Sequence, residues 1–203
     1  CLDIDQDKIN KLKNLEPPIF ENNLEYYLTQ YGNTERLNFI CGYNESIYES
    51  SAIFIAVGTP QKGDGNADLH YIFESIMSSA KYVNPDCVFV IKSTVPPGTC
   101  KQIKELLVQN GFSNNVVSNP EFLREGSAVH DFLYPDRIIL GSESKTALEI
   151  IKQIYKPLSD KQIPILEADL ITAELIKYAS NSFLACKIAF INEMADLCEV
   201  IGA

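Results

Sequence analysis

The chain has 203 residues, 46% of them hydrophobic and 22% charged, a composition suited to a globular protein with a sizeable core. Its 17 basic and 27 acidic side chains leave a net charge of −10, which argues against a general grip on nucleic acid. No apolar run approaches the roughly 18 residues of a membrane span, and an anionic ligand would need a local positive site to overcome the acidic background.

Short apolar runs alternate with helical patterns along most of the chain. Cys1 to Ile4 reads as a strand, and Gln6 to Leu15 as a helix with Ile9, Leu12 and Leu15 on one side, broken by Pro17-Pro18. Leu24, Tyr27 and Leu28 suggest a short helix, and Leu37 to Cys41 a strand. Ser51 to Val57 is a buried strand ended by Gly58-Thr59-Pro60, followed by a turn at Asp64 to Asn66 and a helix from Leu69 to Val83. Cys87 to Ile91 is another buried strand, ended by Ser93-Thr94-Val95-Pro96-Pro97-Gly98, and a helix follows to about Asn110. A strand at Val116-Val117, a short helix after Asn119 and a strand from Arg137 to Leu140 come next. A helix from Lys145 to Tyr155 and a strand from Ile163 to Leu166 complete the alternation.

Continuously apolar strands separated by helices predict an α/β fold with a doubly wound, mostly parallel, Rossmann-like sheet covered on both faces. Such sheets bind ligands beyond the carboxyl ends of their strands. Thr59-Pro60, Ser93-Thr94 and Asn119-Pro120-Glu121 fall at those ends. From about Ala168 neither Gly nor Pro occurs until Gly202, which predicts one helix of roughly 34 residues, on the order of 50 Å. Ile176, Phe183, Ile188, Phe190 and Ile191 make it apolar on more than one side, as in a bridging helix that also packs on a second subunit. Residues 1–166 are therefore expected to form one domain and 167–203 the start of another.

Six cysteines (Cys1, Cys41, Cys87, Cys100, Cys186, Cys198) are scattered without a CxxC pair, and His70 and His130 are the two histidines. This argues against a disulfide framework and against a metal site. The opening Cys1-Leu2-Asp3-Ile4-Asp5 has the pattern of a strand and not of an export signal, so the expectation is a soluble, cytoplasmic protein.

Several segments carry candidate chemistry. Asp3 ends the first strand with Lys8 five residues on; it serves either as acceptor for a nucleotide ribose or, like Asp5, as a helix cap. Gly58-Thr59-Pro60 is either a plain strand-to-loop turn or a place where backbone approaches a ligand. Ser93 and Thr94 put two hydroxyls at a strand end before a helix start, where anions are favoured. Asn119-Pro120-Glu121-Phe122-Leu123-Arg124-Glu125-Gly126 has the pattern of a capped helical turn, which sets Glu121 and Glu125 on one side. Two such carboxylates suit either the helix dipole or a base with a raised pKa. Lys177 and Asn181, four apart on the long helix, join a cation to a neutral amide on one face, a pair that can hold an oxygen gaining negative charge.

Val57-Gly58-Thr59-Pro60, Ser93 to Gly98, Asn119 to Gly126, Tyr134-Pro135-Asp136-Arg137, and Ala173-Glu174-Leu175-Ile176-Lys177-Tyr178 through Asn181 and Asn192-Glu193 occur in this order. Together they closely resemble the UDP-glucose 6-dehydrogenase family of nucleotide-sugar dehydrogenases. The resemblance implies NAD-dependent oxidation of a UDP-sugar C6 alcohol to a carboxylate by two hydride transfers, through a thioester on a cysteine. It implies that Asp3 holds the adenosine ribose with Lys8 near the phosphates, that Thr59 and Thr94 line the cofactor groove, and that Glu125 lies near the nicotinamide. Glu121, helped by Thr94, would activate the hydrolytic water. Lys177 and Asn181 would stabilise oxyanions, while Phe122 and Leu123 would offer backbone groups to the UDP-sugar. A homodimer through the long helix is the expected assembly, with neither nucleic acid nor membrane as partner.

Two departures from the family pattern stand out. No strand with a GxGxxG turn precedes Cys1, and no Gly-rich loop with a nucleophilic cysteine follows the long helix, so the chain is expected to be the middle of an enzyme and inactive by itself. A UDP-N-acetylmannosamine or GDP-mannose dehydrogenase, a β-hydroxyacid dehydrogenase and a non-enzymatic dimer-forming nucleotide-binding module are the alternatives.

Overall fold

The structure is a computed structural model that describes residues 1–203. Its strands are β1 (Leu2–Asp3), β2 (Ile40–Cys41), β3 (Ala52–Ile55), β4 (Val88–Ile91), β5 (Val116–Ser118), β6 (Ile138–Gly141) and β7 (Ile165–Ala168). The helices are α1 (Gln6–Lys13), α2 (Leu24–Tyr31), α3 (His70–Ala80), α4 (Thr99–Gln109), α5 (Ala128–Leu133), α6 (Lys145–Ser159) and α7 (Leu170–Ile201). No helix is long and apolar enough to cross a membrane.

The expected alternation becomes a five-stranded sheet in the order β3-β4-β5-β6-β7 and a separate β1-β2 pair. All neighbours run parallel except β5 and β6, which meet antiparallel at Ser118 and Gly141. No strand lies between β1 and β3, so the two sheets share no ladder. Burial of β4 on both faces explains its unbroken apolar run. Phe89 and Ile91 pack with Ile72 and Ile76 of α3 and Ile103 and Leu107 of α4. Val88 and Val90 face the other way, onto Leu148, Ile151 and Tyr155 of α6. A small third cluster of Ile9, Leu28 and Phe39 supports the β1-β2 pair.

One expected element is absent. No helix follows Asn119; residues 119–124 are irregular, and the short helix α5 begins at Ala128. The reason is that the Asn119 side chain is committed to tertiary contacts instead of capping. It is 1% exposed, donates Nδ2 to the Ile139 carbonyl at 2.8 Å and accepts the Tyr155 hydroxyl at 2.6 Å. Glu121 and Glu125 therefore do not share a helical face, and Glu125 is exposed in the turn before Gly126.

The long helix is as expected in extent, at 32 residues or about 48 Å. Asp169 caps it by accepting the Thr172 backbone N–H at 2.8 Å, and Gly202 ends it at φ 72°. Its first turns bury Leu170, Ala173, Glu174 and Lys177, one stripe at helical spacing. From Ser180 onward every residue is exposed. Two contacts set where this stripe lies. Glu174 accepts backbone N–H bonds from Gly98 at 2.5 Å and Cys100 at 2.7 Å, so its carboxylate sits on the positive end of α4. At Gly141 the helix comes so close to β6 that an added Cβ would lie 2.5 Å from Ala173 Cβ and 2.7 Å from the Asp169 carbonyl oxygen.

Gly141→Ala is therefore expected to lower stability by about 1–3 kcal/mol through overpacking. Urea unfolding should show a lower midpoint with an unchanged m-value.

Candidate active site

The carboxyl ends of β4 and β5 and the start of α7 bring together three ionisable groups. Lys177, 6% exposed, approaches Glu121 Oε1 with its Nζ at 3.1 Å. Glu121 Oε2 accepts the Leu123 backbone N–H at 2.5 Å, which curls the irregular segment around the carboxylate. The Phe122 ring carries two cations, Lys177 Nζ at 5.2 Å and the Arg137 guanidinium at 4.9 Å from its centroid. Lys92, the residue after β4, lies 6.0 Å from the Tyr155 ring centroid. Burial lowers its pKa from 10.5 to about 8, with the Glu121 charge opposing that fall and the Lys177 charge adding to it.

Beside this cluster opens a cleft of about 440 Å³ whose lining includes Lys92, Glu121, Phe122, Arg137 and Tyr155. Thr94, Lys177 and Asn181 do not line it. The irregular segment on its rim is clamped at several points. Asn119 is tied to Ile139 and Tyr155, whose hydroxyl is pushed by burial up to about 12. Asp131 accepts the Arg124 backbone N–H at 2.9 Å and its guanidinium at 2.7 and 3.0 Å, which holds the carboxyl far below the usual carboxylate range. From the β1-β2 side, Glu21 accepts the Gly126 and Ala128 N–H groups at 2.8 and 3.0 Å.

The sequence-selected residues divide into three groups. Lys177 and Glu121 meet directly, with Phe122 stacked against the ammonium and Leu123 exposed at the cleft. Thr59 and Thr94 meet each other, since Thr59 Oγ1 donates to the Thr94 carbonyl at 3.0 Å, and Thr94 is not hydrogen-bonded to Glu121. Asp3 and Lys8 form an ion pair of 2.7 Å. Burial works against ionisation of Asp3, but the Lys8 hydrogen bond and charge and the Asp5 N–H outweigh it, so its pKa falls. Asn181 and Glu125 are both exposed and join none of these clusters; of Thr94, Glu121, Lys177 and Asn181, Glu121 and Lys177 touch each other, and Glu121 is the one that lines the cleft. For Asn181 the reason is that α7 leaves the domain one turn after Lys177.

Lys92, Glu174 and Arg137 were not selected individually from the sequence. Lys92 had a usable signal, a charge directly after a continuously apolar strand. Glu174 had another, an acid inside the apolar stripe of Leu170 and Ala173. Arg137 carried only its place in a family-like motif.

A doubly wound sheet with its polar cluster at the carboxyl edge defines a nucleotide-binding α/β protein. Residues 1–159 match the NAD binding domain of the UDP-glucose/GDP-mannose dehydrogenase family, and residues 171–203 match its central domain. The chain belongs to that family. It is 56% identical over 203 residues to the UDP-glucose 6-dehydrogenase of Rickettsia bellii, covering 100% of this chain and 47% of the relative. Identity to the UDP-glucose 6-dehydrogenase YwqF of Bacillus subtilis is 45% over 206 residues, covering 100% of this chain and 46% of that protein. The solved structure of a UDP-glucose dehydrogenase from Pyrobaculum islandicum superposes with a TM-score of 0.88 at 39% identity, covering 95% of this chain and 45% of that one. The chain spans about half the length of the curated relatives it matches.

Glu174→Ala removes the acceptor of the half-buried Gly98 and buried Cys100 N–H groups at the α4 terminus and is expected to cost about 2–4 kcal/mol, more than Glu174→Gln, which keeps one acceptor. Thermal unfolding of the two variants beside the parent checks the order.

Proposed function

We propose that this chain supplies the cofactor domain and part of the catalytic centre of an NAD-dependent UDP-glucose 6-dehydrogenase of the cytoplasm. Residues 1–166 would form the NAD-binding domain and 167–203 the start of a helical domain. The carrying observation is the Lys177–Glu121 contact of 3.1 Å at the carboxyl edge of the sheet. The names of the relatives support the substrate class.

The donor set fits NAD. Asp3 is held ionised at the end of β1, and each of its oxygens, occupied by Asp5 N or Lys8 Nζ, keeps a lone pair for a ribose hydroxyl. The same charge repels a 2′-phosphate, which favours NAD over its phosphorylated form. Lys8, spent on Asp3, acts on the cofactor mainly through that carboxylate. Bound NAD would supply the hydride acceptor; Thr59 and Thr94, which meet through a hydrogen bond, would line its groove, and Glu125, exposed in its turn, would lie near the nicotinamide end.

The chain's own residues handle charge and protons. The Lys177 ammonium stabilises the C6 oxygen as it becomes an alkoxide, an effect strengthened by its burial. Asn181 joins it only when a ligand or a neighbouring surface covers this part of α7. Glu121 serves as base for the water that hydrolyses the thioester, and the backbone of Phe122 and Leu123 faces the UDP-sugar. The six thiols are poor candidates for the acyl-carrying nucleophile. Cys87 and Cys100 are buried with pKa values raised by burial, Cys87 to about 11. Cys186 and Cys198 sit on the exposed part of α7, Cys41 belongs to β2, and Cys1 directly precedes β1.

A homodimer through α7 is part of the same reading. Phe183, Leu184, Ile188, Phe190, Ile191 and Val200 are all more than half exposed, an apolar surface wider than a single domain leaves uncovered.

In the protein expressed from its complete reading frame, Lys177→Ala is expected to reduce kcat for UDP-glucose oxidation about 10²–10⁴-fold. Glu121→Gln should give a burst of about two NADH per site followed by a stall, because both hydride transfers precede the hydrolysis that is lost. Absence of any NADH from UDP-glucose and NAD with the unaltered protein would sink the proposal. Sedimentation velocity at micromolar concentration should give a dimer, and Phe183→Asp with Ile191→Asp should shift it toward monomer.

A further inference from the structure

Glu121 is placed between two environments. It touches Lys177, which does not line the 440 Å³ cleft, and it lines that cleft together with Lys92. Lys92 continues the face of β4 that carries Val88 and Val90, so its stem runs toward Tyr155 of α6. Its side chain makes no ion pair and no hydrogen bond, and a buried side-chain nitrogen without a partner is absent from the chain, so Lys92 Nζ keeps contact with solvent at the cleft.

We propose that Lys92 is the proton exit of this site, taking from Glu121 the proton that Glu121 removes from the hydrolytic water and releasing it to solvent through the cleft. The inference rests on the hydrolytic role of Glu121 proposed above. The steps balance without a redox partner. An O–H bond of water breaks as its oxygen attacks the acyl carbon and the thiolate departs. The proton goes to the Glu121 carboxylate, then by way of water in the cleft that both side chains line to the Lys92 nitrogen lone pair, then to bulk water. Lys92 acts through Glu121 and need not touch the sugar.

The charged surroundings suit an amine that cycles. Glu121 faces Lys92 from the segment after β5, Lys177 from α7 and Tyr155 from α6; His130, Asp136 and Arg137 stand around the cleft with the Arg124–Asp131 pair. Burial, reinforced by Lys177 and opposed by Glu121, brings Lys92 to about 8, so a usable fraction is neutral near neutral pH. Tyr155 is the other protic group at hand, but it is raised to about 12 and already donates to Asn119. It keeps its proton.

Competitive acylation of the full protein with acetic anhydride, read by mass spectrometry across pH, measures the Lys92 titration without any turnover. The expected midpoint is near 8, falling in Glu121→Gln because the stabilising carboxylate is gone. A midpoint above about 10, as for an ordinary lysine, or no response to Glu121→Gln, overturns the proposal. In single-turnover experiments the hydrolysis step should quicken as pH rises through about 8 and lose that limb in Lys92→Met and Lys92→Arg. Hydrolysis should slow about 100-fold, more than the first hydride transfer, with partial rescue by methylamine. Retention of the limb in both variants overturns the proposal as well. A protein inert toward UDP-glucose would sink the reaction proposed above, while the acylation titration would still decide whether Lys92 and Glu121 are coupled.

Discussion

The Glu174 carboxylate on the amino end of α4 is the contact on which the geometry of the site depends. A buried carboxylate costs several kcal/mol to desolvate. Here two charge-assisted N–H bonds and the positive pole of α4 offset that cost. The contact fixes the rotation of α7 about its own axis. Lys177, one turn further along, can then face only Glu121 and Phe122. Gly141 sets the remaining variable, the distance of α7 from β6, because any side chain there would strike Ala173. A helix that leaves the domain after Ser180 is thus rigidly placed where the chemistry requires it.

The opposite wall of the site is held in another way. Its backbone from Asn119 to Arg124 has no regular hydrogen-bond ladder, so side chains position it: Asn119 and Tyr155 at one end, Asp131 and Glu21 at the other. Irregular backbone leaves the Glu121 and Phe122 N–H groups free to meet a ligand, while those of Asn119, Leu123 and Arg124 are bonded within the domain. The Glu21 contacts also link the β1-β2 pair, where Asp3 lies, to the segment that carries Glu121.

Charge is distributed against the average. In a chain with net charge −10, Lys92, Arg137 and Lys177 gather around one carboxylate and one phenyl ring. Phe122 accommodates two of the cations on its π-system without neutralising them. Positive potential is therefore retained at the sheet edge for an anionic ligand or a developing oxyanion, while the acidic remainder discourages indiscriminate anion binding.

The α/β alternation, the buried parallel strands and the long helix were all legible in the sequence, because apolar periodicity reports burial directly and the lack of Gly and Pro over Leu170–Ile201 leaves a helix as the simplest outcome. Lys177 and Glu121 could be selected as well, since their segments carry residue types that plain packing does not need. What local pattern could not supply was partnership. Asn119 has the pattern of a helix cap, yet Ile139 and Tyr155, 20 and 36 residues away, claim both ends of its amide and leave no helix to cap. Thr94 was paired in the sequence with Glu121 but meets Thr59, because adjacent parallel strands bring their own ends together. The pairing of Lys177 with Asn181 is correct in helical phase, but the domain surface ends between them, so one is buried and the other exposed. Lys92 gains its depressed pKa only from burial under α6 and a second ammonium arriving from α7. Periodicity fixes which face of an element is apolar; which distant atoms meet that face is decided by how the elements pack, and the chemistry of this site follows from that packing.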